Sequence, residues 1–382
     1  MFDYIIVGSG FAGSVCARSL AEAGKRVLVL ERRPHIGGNA YDCTDENGIL
    51  IHKYGPHIFH TNEKRVYEYL SRFTEWRKYD HEVLAKAGEL EFPVPFNLNS
   101  LYKVFSAKKA EMLEKKLISA YGPEKKVPIG EMRESTDDDI RELAEFVYNN
   151  VFLHYTMKQW GQKPEEIDPA TTARVPVFIS RDNRYFQDEY QGMPLYGYTP
   201  MFERMLDHKN ITVKCSVNAD AYLKFEDKII FENEIFEGKV IYTGALDELF
   251  GYCCGALPYR TLDFGFEHHD VTYYQTHGTV NYTVDEPYTR ITEYKYLTGQ
   301  EMEGSTTIMK EFSRSYRPET EDIPYYAIIN EENNSLYQKY LSKAKEYENL
   351  LLLGRLAEYK YYNMDKIVSL ALQLCDTLTE EK

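Results

Sequence analysis

The stretch "FDYIIVGSGFAGSVCARSLAEAGKRVLVLE", residues 2–31, decides the fold. FDYIIV has no polar residue between Asp3 and the glycines, as a buried strand requires. GSGFAG follows at 8–13, and SVCARSLAEAG reads as a helix closed by Gly24. KRVLVLE supplies a second strand ending in Glu31, 23 positions past Gly8. Strand, GxGxxG turn, helix and a closing acid together make a dinucleotide-binding unit, where the glycine pattern alone would be weak. Gly8 permits the tight turn, Gly10 lets the backbone approach a pyrophosphate, and Gly13 lets helix and strand pack closely. Phe11 and Ala12 open the helix, whose free N–H groups face the phosphates. Glu31 is expected to accept a ribose hydroxyl, with Arg32 beside it.

The next segment separates two dinucleotides. RRPHIGGNAYD, residues 32–42, pairs Gly37 with Gly38 and adds Asn39 soon after the second strand. A second glycine pair suits an elongated FAD, which needs close backbone on both sides. A nicotinamide domain would place another βαβ unit here, so FAD is the expected cofactor.

Beyond this unit the pattern changes several times. Residues from about 100 to 160 are helical, and Ser135 or Thr136 is expected to cap the helix beginning DDDIRELAEF. IDPATTARVPVFISRDNRYFQDEYQG, 167–192, reads as a loop. IIFENEIFEGKVIYTG looks like a hairpin returning to the cofactor fold. From 260 to 312, alternating stretches predict an antiparallel sheet with a tyrosine-rich face. NLLLLG is a last buried strand, and LGRLAEYKYYNMDKIVSLAL then repeats the order of a loop and a helix start. A second helix N-terminus is therefore expected at the far end of the cofactor, with Asn363 and Met364 at its start and Arg355 beside it.

The expected architecture is α/β: a discontinuous Rossmann-like FAD-binding domain, a helical insertion and an antiparallel β-sheet domain. FAD-binding parts span 1–79, 209–247 and 333–382. Sheet-domain parts span 80–96 and 248–332, with a mobile loop and further sheet segment at 174–208. The helical substrate domain spans 97–173.

Composition sets limits. A net charge of −15 offers no basic stripe for nucleic acid, though a few converging arginines could still hold a phosphorylated small molecule. No stretch approaches the ~20 apolar residues of a membrane span. The opening residues do not resemble a secretory leader, so a cytosolic protein is expected. Six cysteines lack metal-ligand spacing and are expected as free thiols. The 33 tyrosines alone leave wet clefts, interfaces and compositional bias all open.

Several motifs resemble one family. GSGFAG, HIGGNAYD, IHKYGPHIFHT, YTMKQWG, RDNRYFQDEYQG, PYTRITE and GRLAEYKYYNM run in order from residue 1 to about 372 and look like those of bacterial UDP-galactopyranose mutases. The resemblance implies interconversion of UDP-galactopyranose and UDP-galactofuranose with no net redox change. Nitrogen-5 of reduced FAD would act as a nucleophile at the anomeric carbon. It also implies a role in supplying cell-surface glycans, a homodimer, and NAD(P)H or a reductase as flavin reductant.

Site roles follow from the same resemblance. Arg174 and Arg290 match two diphosphate-clamping arginines, which would hold the charge of departing UDP. Tyr155 and Thr156 match uridine contacts, Trp160 the tryptophan of their motif, and Tyr185 a tyrosine near the nucleotide. Tyr326 and Tyr361 match diphosphate ligands, and Asn281 a polar substrate contact. His57 and His60 match histidines at the flavin face. The wider cofactor set comprises Gly38, Asn39, His57, Ile58, Val217, Arg355, Asn363, Met364 and Ile367.

Three departures leave the hexose open. Asn363 stands where an aspartate is usual, His81 where an asparagine often lies beside the substrate, and the turn reads GPH. N-acetylated or 6-deoxy nucleotide sugars are the alternative substrates. An amine-oxidase-like FAD oxidoreductase and a nucleotide-sugar-binding flavoprotein without turnover are competing functions.

Overall fold

A computed structural model describes residues 2–161 and 176–380. Its centre is a parallel sheet of five strands in the order Ile211–Lys214, Val27–Leu30, Tyr4–Val7, Lys239–Tyr242 and Leu350–Leu352. Apolar residues run continuously along Val27–Leu30, Tyr4–Val7 and 240–242 because both faces are covered there. Ile6, Val29 and Ile241 face helices Phe11–Glu22, Tyr198–Leu206 and Met364–Glu380. Their neighbours Ile5, Leu28 and Val240 face the opposite layer, which includes helix Glu331–Ala344. Strand period and helix packing thus produce three layers from one alternating pattern.

The second sheet has seven strands, ordered Tyr326–Ala327, Tyr259–His269, Thr306–Ser315, Arg290–Glu293, Thr279–Tyr282, Val83–Ala87 and Leu90–Val94. It is not wholly antiparallel as expected: Thr279–Tyr282 runs parallel to Val83–Ala87. That neighbour arrives from a distant part of the chain, so no hairpin dictates its direction. On one face, Val83, Ala85, Phe92 and Val94 pack against Leu101, Leu113, Leu143 and Val147 of the helical insertion.

Three local expectations need correction. Asp137, rather than Ser135 or Thr136, caps helix Asp138–Val147 by accepting from the N–H groups of Asp139 and Ile140. The Ser135 hydroxyl instead accepts from the Asp137 N–H. Of the expected hairpin at 229–244, only Lys239–Tyr242 enters the parallel sheet; Ile229–Phe231 and Glu234–Ile235 belong to a separate small sheet. Within the expected loop, Tyr190–Pro194 is a strand between Phe59–Thr61 and Trp76–Lys78. Pairing on both edges outweighs its poor strand propensity.

Candidate active site

The glycine turn is a cradle because backbone meets backbone at its centre. A Cβ on Gly13 would come within 1.9 Å of the Gly8 carbonyl oxygen, so helix Phe11–Glu22 rests directly on the turn. Gly38 has φ +57°, and a Cβ there would stand 2.9 Å from the Gly10 Cα. The second glycine pair thereby closes on the first. The helix starts at Gly10 without a side-chain cap or an acid in its first turn. Its N–H groups and the positive end of its dipole are left for an anion.

Above this turn lies a cavity of about 330 Å³, whose walls include Gly8, Gly10, Phe11, Ala12, Gly38, Asn39 and Val217. Glu31 also faces it, only 5% exposed. Its Oε2 accepts from the Ser9 N–H at 2.9 Å and hydroxyl at 2.7 Å, and its Oε1 from the Arg33 N–H at 2.9 Å. With about four acceptor positions on a carboxylate, one remains for a ribose hydroxyl. Arg32 sits at the rim, 2.9 Å from Glu248. The far wall comes from Arg355, Asn363, Met364 and Ile367. Asn363 is exposed, and its carbonyl accepts from the Ile367 N–H as the last helix begins. A backbone cradle, a capless helix and a ribose acceptor fit a flavin-type dinucleotide. Gly13 packs behind this cavity, and Ile58 lines the adjoining one.

The second cavity, about 270 Å³, meets the first at Asn39, His57, Arg355, Asn363 and Met364. Into it converge Arg290, Asn281, His60, His81, Tyr185, Tyr326 and Tyr361. Strand Arg290–Glu293 positions Arg290 across from Glu311, with Nε 3.4 Å from its buried carboxylate. Burial opposes the guanidinium charge, but Glu311 and the surrounding phenols outweigh it and hold the pKa above the usual value. Arg290 Nη2 donates to the Tyr155 hydroxyl at 2.5 Å. Burial pushes Tyr155 up to about 12, so it stays protonated and keeps its own O–H to donate. Among the described residues the Asn281 Oδ1 is buried without a partner, an acceptor suited to a ligand hydroxyl.

Three imidazoles share this space. His57 Nδ1 lies 2.8 Å from the Gly55 carbonyl, which can only accept, so the proton belongs on Nδ1. Burial, then repulsion from His52, depresses His57 to about 3. His81 is 5% exposed and likewise held near 3, first by burial and then by Arg290 and His60. Both rings are neutral at physiological pH. His60 donates from Nδ1 to Asp188 at 3.0 Å and stacks on Phe186 at 3.6 Å.

Trp160 is half-buried, with its ring 5.9 Å from that of Tyr326, and Thr156 is buried on the same helix, His154–Trp160. Neither lines the two cavities described here. Tyr326 stacks on Tyr361 at 6.2 Å, and Arg355 lies 4.7 Å over the Tyr361 ring. Arg174 lies outside the described residues. Sequence reasoning missed Thr243 and Gly244, which wall the first cavity, and Glu311, Phe186 and Leu262 in the second. The first pair carried a usable signal, since ligands gather at the carboxyl ends of parallel strands.

Residues 150–361 match the UDP-galactopyranose mutase family, and residues 6–73 match an NAD(P)-binding Rossmann-like domain. The chain is 34% identical to the UDP-galactopyranose mutase of Mycoplasma pneumoniae, covering 99% of this chain and 96% of that one. It is 36% identical to the dTDP-fucopyranose mutase of Escherichia coli, covering 98% and 97%. A crystal structure of reduced UDP-galactopyranose mutase shares the fold, with a TM-score of 0.70 at 15% identity over 100% of this chain and 96% of that one. With full-length relatives above one-third identity, the chain belongs to the UDP-galactopyranose mutase family.

Proposed function

We propose that this protein is a flavin-dependent mutase that interconverts UDP-galactopyranose and UDP-galactofuranose, with FAD as its cofactor. The observation behind this reading is a polar cavity, lined by the half-buried Arg290, that opens onto the dinucleotide cavity at His57 and Arg355. When bound and reduced, the flavin would supply a nucleophilic nitrogen.

The protein's own groups do the rest by charge and position. Arg290 neutralises the diphosphate as the anomeric bond breaks, and Tyr155 adds a donor beside it. Tyr326 and Tyr361 present hydroxyls from a stacked pair. Asn281 orients a sugar hydroxyl, and His57 and His81 offer hydrogen bonds without adding positive charge. Arg174, matched to a second clamp, is proposed to act on the same diphosphate. The cofactor-binding unit is taken as 1–79, 209–247 and 333–382. A homodimer, reduction by NAD(P)H or a reductase, and a cytoplasmic location complete the proposal.

Relatives named for UDP-galactopyranose and for dTDP-fucopyranose stand at nearly equal identity, which favours a second reading. In it the same chemistry acts on a 6-deoxy or N-acetylated nucleotide hexose, with His81 and Asn363 reading the sugar. The test is incubation of dithionite-reduced protein with UDP-galactofuranose, against an oxidised control. UDP-galactopyranose formed only in the reduced sample is the expected result. Absence of conversion with flavin bound would reject this substrate, and turnover of dTDP-fucofuranose would then establish the second reading.

A further inference from the structure

The motif YTMKQWG sets Tyr155 against Arg290, but its lysine is not explained by the chemistry above. Lys158 is half-buried on helix His154–Trp160. Its Nζ donates to three backbone carbonyls of one turn: Tyr282 at 2.5 Å, Glu286 at 3.0 Å and Tyr288 at 3.3 Å. An ammonium has three donors, so this group is fully used. Burial lowers its pKa from the usual value, while Glu286 and Asp285 act in the opposite direction.

The turn it holds joins the strands Thr279–Tyr282 and Arg290–Glu293. Those strands carry Asn281 and Arg290, directly opposite each other in register. The same helix also meets Arg290 through Tyr155, one turn before Lys158. The helix end is tied down in its turn: Arg260, 5% exposed, donates to the carbonyls of Gln159 at 3.1 Å and Lys158 at 3.3 Å. Thr156 and Gln159 are the buried residues of this helix, and the Ser313 hydroxyl also donates to the Gln159 carbonyl at 2.7 Å, so polar anchors tie its end to the sheet.

We infer that Lys158 is a positioning residue: it gathers three carbonyls of the 282–288 turn and so sets Arg290 and Asn281 for the diphosphate sugar. Without a cation, three converging carbonyl dipoles lose their common partner and the turn opens. This inference rests on the mutase reading for its kinetic consequence, but the turn itself can be observed without substrate.

Lys158→Met, Lys158→Gln and Lys158→Arg are compared in the flavin-loaded protein by hydrogen exchange, flavin content and kinetics. Lys158→Met is expected to speed amide exchange in 283–290 while leaving 83–94 unchanged. Its kcat/KM should fall about tenfold or more at full flavin content, with Lys158→Arg recovering most of the loss. Unchanged exchange in 283–290 would overturn the inference. So would a loss of activity that follows flavin content and is not recovered by Lys158→Arg. If Lys158→Met does not fold, Lys158→Gln decides: faster exchange in 283–290 supports the role, and parental exchange rejects it. Should the parent turn over no nucleotide hexose, the mutase reading fails while the exchange result still judges the turn.

Discussion

Arg290 illustrates how a single side chain is made ready before any ligand arrives. Burial alone would discourage its charge, but Glu311 lies 3.4 Å away and Tyr155 accepts one of its N–H groups. Truncation removes a fixed donor from a partly desolvated site. Arg290→Ala is therefore expected to cost about 2–4 kcal/mol in the barrier, seen as a fall in kcat with flavin still bound. Near-parental turnover would remove Arg290 from the clamp. The histidines predict a different behaviour. His52, His57 and His81 are held near 3 by burial, whereas an unfolded histidine titrates near about 6.5. Between those values the unfolded chain binds more protons, so stability rises with pH across that window and is fully present above it. The urea midpoint should be lower at pH 5 than at pH 7.5, and equal midpoints would contradict the buried neutral state.

Elements differ in how far their roles were legible in sequence. The strand–glycine–helix unit was readable because turn, dipole and packing are all local. Thr243 and Gly244 were missed although their segment was read as returning to the cofactor fold: only pairing with Tyr4–Val7, more than 200 residues earlier, puts the carboxyl end of Lys239–Tyr242 at the cavity. Glu311 was hidden because strand alternation marks an inward position without saying that a charge occupies it. Arg290 was legible only through resemblance to a family. Asp42 shows the same limit: it lies in HIGGNAYD yet serves a helix far along the chain. Its carboxylate accepts the N–H groups of Tyr198 at 2.5 Å and Thr199 at 2.7 Å, capping helix Tyr198–Leu206. Burial raises its pKa, but these bonds favour the charged form. Asp42→Ala should destabilise the protein by about 1–3 kcal/mol, read as a lower midpoint in urea. An unchanged midpoint would mean that the helix start is held by other contacts.

At the scale of the whole molecule, the cofactor cavity draws on three distant stretches: the first glycine loops, residues near 217–249, and 354–367. A ligand bridging all three favours the folded state by mass action, about 2.7 kcal/mol when present at a hundred times its Kd. Removing flavin should therefore lower Tm, and adding FAD back should restore it. A Tm indifferent to FAD would show that the cavity does not hold this cofactor.

The arrangement of that cavity also has a consequence for synthesis. A ribosome releases the glycine turn first and Arg355 hundreds of residues later, and the central sheet gains its edge strand Leu350–Leu352 only then. A nascent chain can form the cradle's floor early but cannot close its far wall until nearly all of this sequence has emerged. Stable flavin retention thus becomes a report on translation past Arg355: a chain cut short before that residue should let its cofactor go.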